Sequence, residues 1–298
     1  ERDHSQNDIV NHSIYELDFS QIIGQSKAKR ALEISAAGGH NLFLIGPPGV
    51  GKTSLSKAFP SILPDLTDEE VLEVTKIYSS IGLTNEENPL ICLRQVRSPH
   101  HTISYAGFIG GGGNIPKVGE VSLAHKGVLF LDEFSEFPRN IVESLRQPIE
   151  EKKVTIARSK SSVTFPCDFI LFVATNPCPC GYLGHPKKSC TCPEHSINRY
   201  RSKFSGPIID RMDLFVEVPP VEISELNSNL SMNTNEKSES IKSRVIKARN
   251  IQIKRNNNIT NNQLSIEQIK SLCVLNEESK KLVDAAANKF NLSARSYF

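Results

Sequence analysis

Gly46-Pro47-Pro48-Gly49-Val50-Gly51-Lys52-Thr53 meets every constrained position of the pattern G-x-x-x-x-G-K-[ST]. Small residues let successive backbone N–H groups turn inward around an anion, and a helix that follows points its positive end at the same charge. Gly49 and Gly51 supply backbone geometry and close approach that a side chain would obstruct. Lys52 would reach the outer phosphates of a nucleoside triphosphate, and the Thr53 hydroxyl would ligate Mg2+. The expected phosphate-contacting set therefore runs through Gly46, Pro47, Pro48, Gly49, Val50, Gly51, Lys52, Thr53 and Ser54, with ATP and Mg2+ as ligands.

Two further polar groups follow apolar runs. Gly127-Val128-Leu129-Phe130-Leu131 ends in Asp132-Glu133, and Phe169-Ile170-Leu171-Phe172-Val173-Ala174 ends in Thr175-Asn176. At a strand end beside the phosphate loop, Asp132 would hold Mg2+ and Glu133 would orient and polarise the water attacking the γ-phosphate. Asn176 would position the same water without competing for the metal. The bland alternatives are a solvated acidic turn and a loop-capping asparagine.

These groups need a scaffold that delivers several strand ends to one place. Apolar runs at 41–45, 127–131 and 169–174, separated by long mixed segments, predict a parallel sheet with helical crossovers, an α/β fold. A chain of 298 residues with 38% hydrophobic content can bury a full core with a smaller unit beside it. Residues 1–20 read as a polar arm or linker, 21–222 as the α/β nucleotide-binding domain, and 223–298 as an incomplete helical lid. Helical character appears at 24–34, 54–59, 240–254, 265–275 and 277–290, with polar loops at 227–240 and 256–262. No apolar run approaches the roughly 20 residues that cross a bilayer, and no secretory layout opens the chain, so cytoplasmic residence is expected. The formal net charge of +2 gives no global footprint for nucleic acid. A start at Glu1 and a stop at Phe298 without a terminating signal suggest part of something longer.

The order of these signals resembles the AAA+ ATPases, with Asn176 at their sensor-1 position. Arg97 to Ser104, the glycine run Gly110 to Gly113, Gly119 to Gly127 and Leu131 to Phe137 are similar to the magnesium-chelatase-like branch, and within it to the bacterial ComM/YifB type. The resemblance covers about residues 20–298 and lacks the family's usual N-terminal domain, which resembles the Lon protease fold. It implies a ring, hexameric with nucleotide. It also implies that Arg211, in Ser205 to Leu214, is the arginine finger and that Arg295, in Ser293-Ala294-Arg295, is sensor 2. From the residues alone, Arg211 reads equally as an ion-pair partner of Asp210 or Asp213, and Arg199 and Arg201 compete for the finger. The implied function is an ATP-driven DNA motor of the competence-associated, branch-migrating kind. The alternatives are a metal-insertion chaperone like the magnesium-chelatase ATPase subunit, and a nucleotide switch that barely hydrolyses.

Cys178-Pro179-Cys180 and Cys190-Thr191-Cys192 form two C-x-C pairs. Four thiolates could make a tetrahedral Zn2+ site, structural if the ion is present, with a spacing tighter than the usual C-x-x-C and with His185 or His195 able to replace a ligand. Cys92, Cys167 and Cys273 read as ordinary thiols. Residues 152–165 alternate around a polar turn and predict a β-hairpin. In the resembling branch a hairpin here projects toward the ring pore, where Arg158 and Lys160 would touch DNA phosphates; otherwise it is a solvated hairpin. The segment 100–117, with Tyr105, Phe108 and four consecutive glycines, reads as a flexible second loop that could face the same pore. The pair His100-His101 in a strand would face opposite ways, which argues against a metal there.

Overall fold

The long apolar runs fold into the middle of a parallel sheet. The computed structural model describes residues 15–87, 89–112, 116–157, 162–204, 206–221, 235–290 and 294–297. Among them are β1 (Leu42–Ile45), β2 (Val96–Arg97), β3 (Gly110–Gly111), β4 (Lys117–Val118), β5 (Val128–Leu131), β6 (Lys153–Ala157), β7 (Ser162–Pro166), β8 (Ile170–Thr175) and β9 (Leu214–Glu217). The main sheet has the order β2-β5-β8-β1-β9, and every neighbouring pair is parallel. An α/β architecture with helices around a parallel sheet is thus the observed fold class.

Strand geometry splits each run between two faces, because successive side chains point opposite ways. Leu42, Leu44, Val128, Phe130, Phe172 and Ala174 join one buried cluster with Phe19, Leu32, Leu55 and Phe59. Phe43, Leu129, Leu131, Leu171 and Val173 join the other with Phe108, Phe134 and Ile208. Both faces are covered, which is why the central strands read as unbroken apolar stretches rather than alternating ones. The edges escaped sequence reading: β2 has two residues, and β9 leaves Phe215 and Glu217 exposed or partly so.

Phe19, at the end of the stretch expected to be a polar arm, is fully buried. Asp18 caps a short turn through Ser20 N (2.8 Å) and also accepts from Ser238 N (3.1 Å), while Phe19 N donates to Ser238 Oγ (2.8 Å). Residues 18–20 are therefore tied to the start of helix Ser238–Arg255, which buries Ile241 and Val245 against helix Ser26–Gly38. Helices Ile266–Leu272 and Glu277–Phe290 bury no residue. The expected boundary at 222/223 falls in 222–234, outside the described residues. No helix among the described residues is long and apolar enough to cross a membrane.

The hairpin is present as β6 and β7, paired from Lys153↔Pro166 to Ala157↔Ser162. Its tip, including Arg158 and Lys160, lies outside the described residues. Much of the segment 100–117 differs from the expected flexible loop. Ser104 caps helix Tyr105–Phe108, Phe108 is fully buried, and β3 pairs with β4. The physical reason is close packing: a Cβ at Gly110 would lie 2.5 Å from Ile156 Cδ1 and 2.7 Å from Lys117 O. Phe108 is thus a core residue, Tyr105 stays half exposed, and Gly113 to Ile115 lie outside the described residues.

Candidate active site

The sheet order puts β8 between β1 and β5, so the carboxyl ends of these three strands lie side by side. Ile45 is in register with Thr175, and Leu131 with Val173. The polar residues following each strand therefore converge, as open α/β sheets favour. A cleft of about 390 Å³ is lined by Pro48, Gly49, Val50, Gly51, Lys52, Thr53, Ser54, Asp132, Glu133, Thr175 and Asn176. Gly46 and Pro47 are not in this lining and reach it only through their carbonyls, which accept from Lys52 Nζ.

Helix Lys52–Ala58 starts directly at the loop, two residues before the expected start at Ser54. Gly49 and Gly51 have φ of +77° and +90°, and a Cβ at either would meet nothing within 4 Å. These glycines are required by backbone conformation, and the space above them is open. Gly46 differs, since a Cβ there would lie 2.4 Å from Val218 O.

Lys52 Nζ donates to Gly46 O (2.7 Å), Pro47 O (2.9 Å) and Asn176 Oδ1 (3.1 Å). Burial lowers its pKa, against the opposing pull of Asp132 and Glu133. Thr53 Oγ1 donates to Asp132 Oδ2 (2.8 Å), and Asp132 Oδ1 accepts from Glu133 N (2.9 Å). A hydroxyl beside a carboxylate is an oxygen donor set suited to Mg2+. Glu133 has φ +49°, the left-handed region, and its carboxylate is exposed at the cleft mouth with His101 Nδ1 3.7 Å away. A non-glycine residue held there is a local strain that the Asp132 carboxylate helps to fix.

Several partners had no local signal in the sequence. Tyr200 Oη bonds Thr175 Oγ1 (3.1 Å) and donor Ser135 Oγ (2.8 Å), tying the end of β8 to the turn after β5. His101 lies near Glu133, and its ring sits 4.0 Å from that of His100 between centroids, tilted by 34°, rather than facing away, because the pair lies outside any strand. Arg211, which follows helix Gly206–Ile209, lies outside the cleft; its guanidinium pairs with Glu150 and donates to Pro207 O. Asp213, one partner expected for it, accepts instead from Asn41 N (2.8 Å). Arg199 and Arg201 are exposed on helix Glu194–Arg201. Arg295 belongs to helix Ala294–Tyr297, and its side chain lies outside the described residues.

Beyond Asn176 the chain enters the cysteine segment. The Sγ atoms of Cys178, Cys180, Cys190 and Cys192 all lie within 4.8 Å of one another, with neither His185 nor His195 in the group. Cys178 and Cys180 are 3.4 Å apart, Cys178 and Cys190 3.7 Å, and Cys180 and Cys190 3.6 Å. Four thiolates about 2.3 Å from Zn2+ in a tetrahedron stand roughly 3.8 Å apart, whereas a disulfide needs about 2.05 Å. The quartet fits the ion. Backbone N–H groups of Tyr182 and Thr191 pull the Cys180 thiol down to about 5, while at Cys190 the downward pull of the Cys192 N–H is outweighed by burial and the neighbouring thiols, which push it up to about 12. Cys167, by contrast, is buried and pushed up to about 12, while Cys92 and Cys273 are exposed.

Comparison with known proteins agrees with this architecture. Residues 18–226 match the family model "Magnesium chelatase, subunit ChlI", and residues 235–298 match "Magnesium chelatase, subunit ChlI C-terminal". The chain is 43% identical to "Uncharacterized protein YifB" of Escherichia coli K12 over 282 residues, and 42% identical to "Competence protein ComM" of Haemophilus influenzae over 283 residues. Each alignment covers 94% of this chain and 54% of the relative, so the chain spans about half the length of these curated relatives. It is also 27% identical to "Magnesium-chelatase 67 kDa subunit" of Chlorobaculum parvum, over 53% of this chain and 23% of that protein. With two family models meeting nearly end to end over a parallel sheet and the helical region that follows it, the chain belongs to the magnesium-chelatase family of AAA+ proteins.

Proposed function

We propose that this chain is the ATP-hydrolysing part of a ring-forming AAA+ motor that works on DNA. One observation carries the hydrolytic half: groups from three separate strand ends already touch in the cleft, Thr53 to Asp132 and Lys52 to Asn176. In this reading, residues 46–54 wrap the triphosphate, and Thr53 with Asp132 holds Mg2+. When bound, that ion neutralises charge on the outer phosphates. Glu133 polarises the attacking water, Asn176 orients it, and Lys52 draws charge from the β- and γ-phosphates.

The finger role for Arg211 requires its release from Glu150 so that it can reach a neighbouring subunit's γ-phosphate, which couples turnover to a hexameric ring. Arg295 acts as sensor 2 from a lid over 223–298 that closes on the 21–222 domain. Arg158, Lys160 and the 100–117 segment are the DNA-contacting candidates, through backbone phosphates rather than bases. The cysteine quartet carries structural Zn2+, in a reducing cytoplasm that keeps thiolates free for metal. Similarity to a protein named for competence supports the DNA reading. Similarity to one named as a magnesium-chelatase subunit supports the second reading, a metal-insertion chaperone ATPase acting on a protein partner.

ATPase rate against protein concentration, with and without forked or four-way DNA, tests both halves. Specific activity that rises as rings form and rises again with DNA is expected. A rate independent of concentration sinks the finger in trans, and indifference to every DNA sinks the DNA motor.

A further inference from the structure

The loop after β8 touches the phosphate loop twice. Asn176 Oδ1 accepts Lys52 Nζ at 3.1 Å. Two residues further on, Cys178 is fully buried, and Gly181 N donates to Cys178 O (2.9 Å), closing a turn. That turn brings Gly181, at φ +80°, onto the Pro48 ring: a Cβ there would lie 2.6 Å from Pro48 Cδ. The same backbone thus sets the acceptor for Lys52 and braces the wall of the phosphate loop.

Only short-range contacts fix the rest of the loop: His185 N donates to Tyr182 O (3.1 Å), and Lys187 N and Lys188 N donate to His185 Nδ1 (3.0 and 3.1 Å). Residues 180–192 contain no helix or strand, and most are exposed or half-buried. The cross-links that join its two ends run to sulfur: Cys180 N donates to Cys192 Sγ (3.3 Å), and Cys192 N donates to Cys190 Sγ (3.4 Å). A loop with so little apolar packing holds its two ends together only if something ties them. Four converging thiolates supply the tie through a metal ion, whose binding energy then becomes ordering energy for the loop.

We infer that Zn2+ in the cysteine quartet sets the nucleotide affinity of the cleft, by holding Asn176 and Gly181 against the phosphate loop. This rests on the zinc and nucleotide readings above and adds a coupling between them. Linkage makes the coupling reciprocal: what zinc does for nucleotide affinity, nucleotide must do for zinc affinity. The metal does not enter the reaction, since four protein ligands leave it no open position.

The test uses the purified chain. Zinc per chain is measured by elemental analysis, ATP affinity is titrated with zinc-loaded, stripped and reloaded protein, and zinc affinity is titrated against a chromophoric chelator with and without Mg·ATP. One zinc per chain is expected, with ATP affinity at least about fivefold weaker after stripping, restored on reloading, and matched by an equal shift in zinc affinity. Gly181→Ala separates this from simple unfolding. It should keep one zinc per chain yet bind ATP at least about fivefold more weakly, because its Cβ displaces Pro48. One tightly held zinc with ATP affinity unchanged by stripping, or wild-type ATP affinity in Gly181→Ala, overturns the coupling and leaves the zinc reading standing. Absence of bound zinc under zinc-replete conditions overturns both.

Discussion

Replacing Lys52 with methionine tests the cleft at its most constrained point. The lysine side chain is buried, and its ammonium donates to two carbonyls and one amide oxygen at 2.7, 2.9 and 3.1 Å, all uncharged acceptors. Burial lowers its pKa despite Asp132 and Glu133 nearby. The charge therefore costs the empty protein stability, and a phosphate would repay that cost in the complex. A hydrogen bond to a charged group is worth about 1.5–3 kcal/mol, and 1.4 kcal/mol is a tenfold change in affinity. Lys52→Met should then weaken Mg·ATP binding by about 10- to 150-fold, measured by calorimetric titration. Methionine keeps the length and apolar stem of the lysine, so the melting temperature without nucleotide should hold or rise. Because the folded pKa lies below the unfolded one, wild-type stability should climb as pH rises through the folded value, and the variant should lose that climb. Unchanged ATP affinity, or a melting temperature that drops along with affinity, would refute this account of Lys52.

Glu133→Gln should bind Mg·ATP as wild type does while its turnover falls by at least about 100-fold, the usual worth of a positioned base, as read in a single-turnover assay. Arg211→Ala should also retain binding, but its specific activity should no longer increase with protein concentration, with a loss at high concentration of at least about 100-fold. Asp168 offers a stability test away from the cleft. Burial would raise its pKa, but Lys152 and Lys126, each 3.1 Å from the carboxylate, hold it below the ordinary value of 3.8. A depressed folded pKa gives stability that is complete above the unfolded value and lost as pH falls through the folded one. Asp168→Asn should thus cost about 2 kcal/mol at pH 7, between an exposed pair and a buried one, and the gap should close below about pH 3.8 in chemical denaturation. A gap that persists at pH 2 would mean the loss is packing rather than charge.

Residues 46–53 disclosed the turn from β1 into helix Lys52–Ala58 unaided, because a backbone with positive φ at Gly49 and Gly51 admits few residue types there. The runs 41–45, 127–131 and 169–174 disclosed the central strands, since two-sided burial demands unbroken apolar sequence. The hairpin at 153–166 showed itself by alternation. Short edge elements such as β2 did not, for two residues carry no period. Nor did Phe108, where a glycine-rich neighbourhood suggested flexibility and close packing proved to be the reason for the glycines.

Local character was therefore written in the chain: which turn needs glycine, which cysteines come in close pairs, and which runs must be buried. Adjacency was not. The strand order that sets Asn176 beside Lys52, the capture of Arg211 by Glu150, the approach of His101 to Glu133, and the meeting of Gly181 with Pro48 all join residues far apart in sequence. Such contacts depend on how the sheet twists and closes as a whole, and no local pattern encodes that.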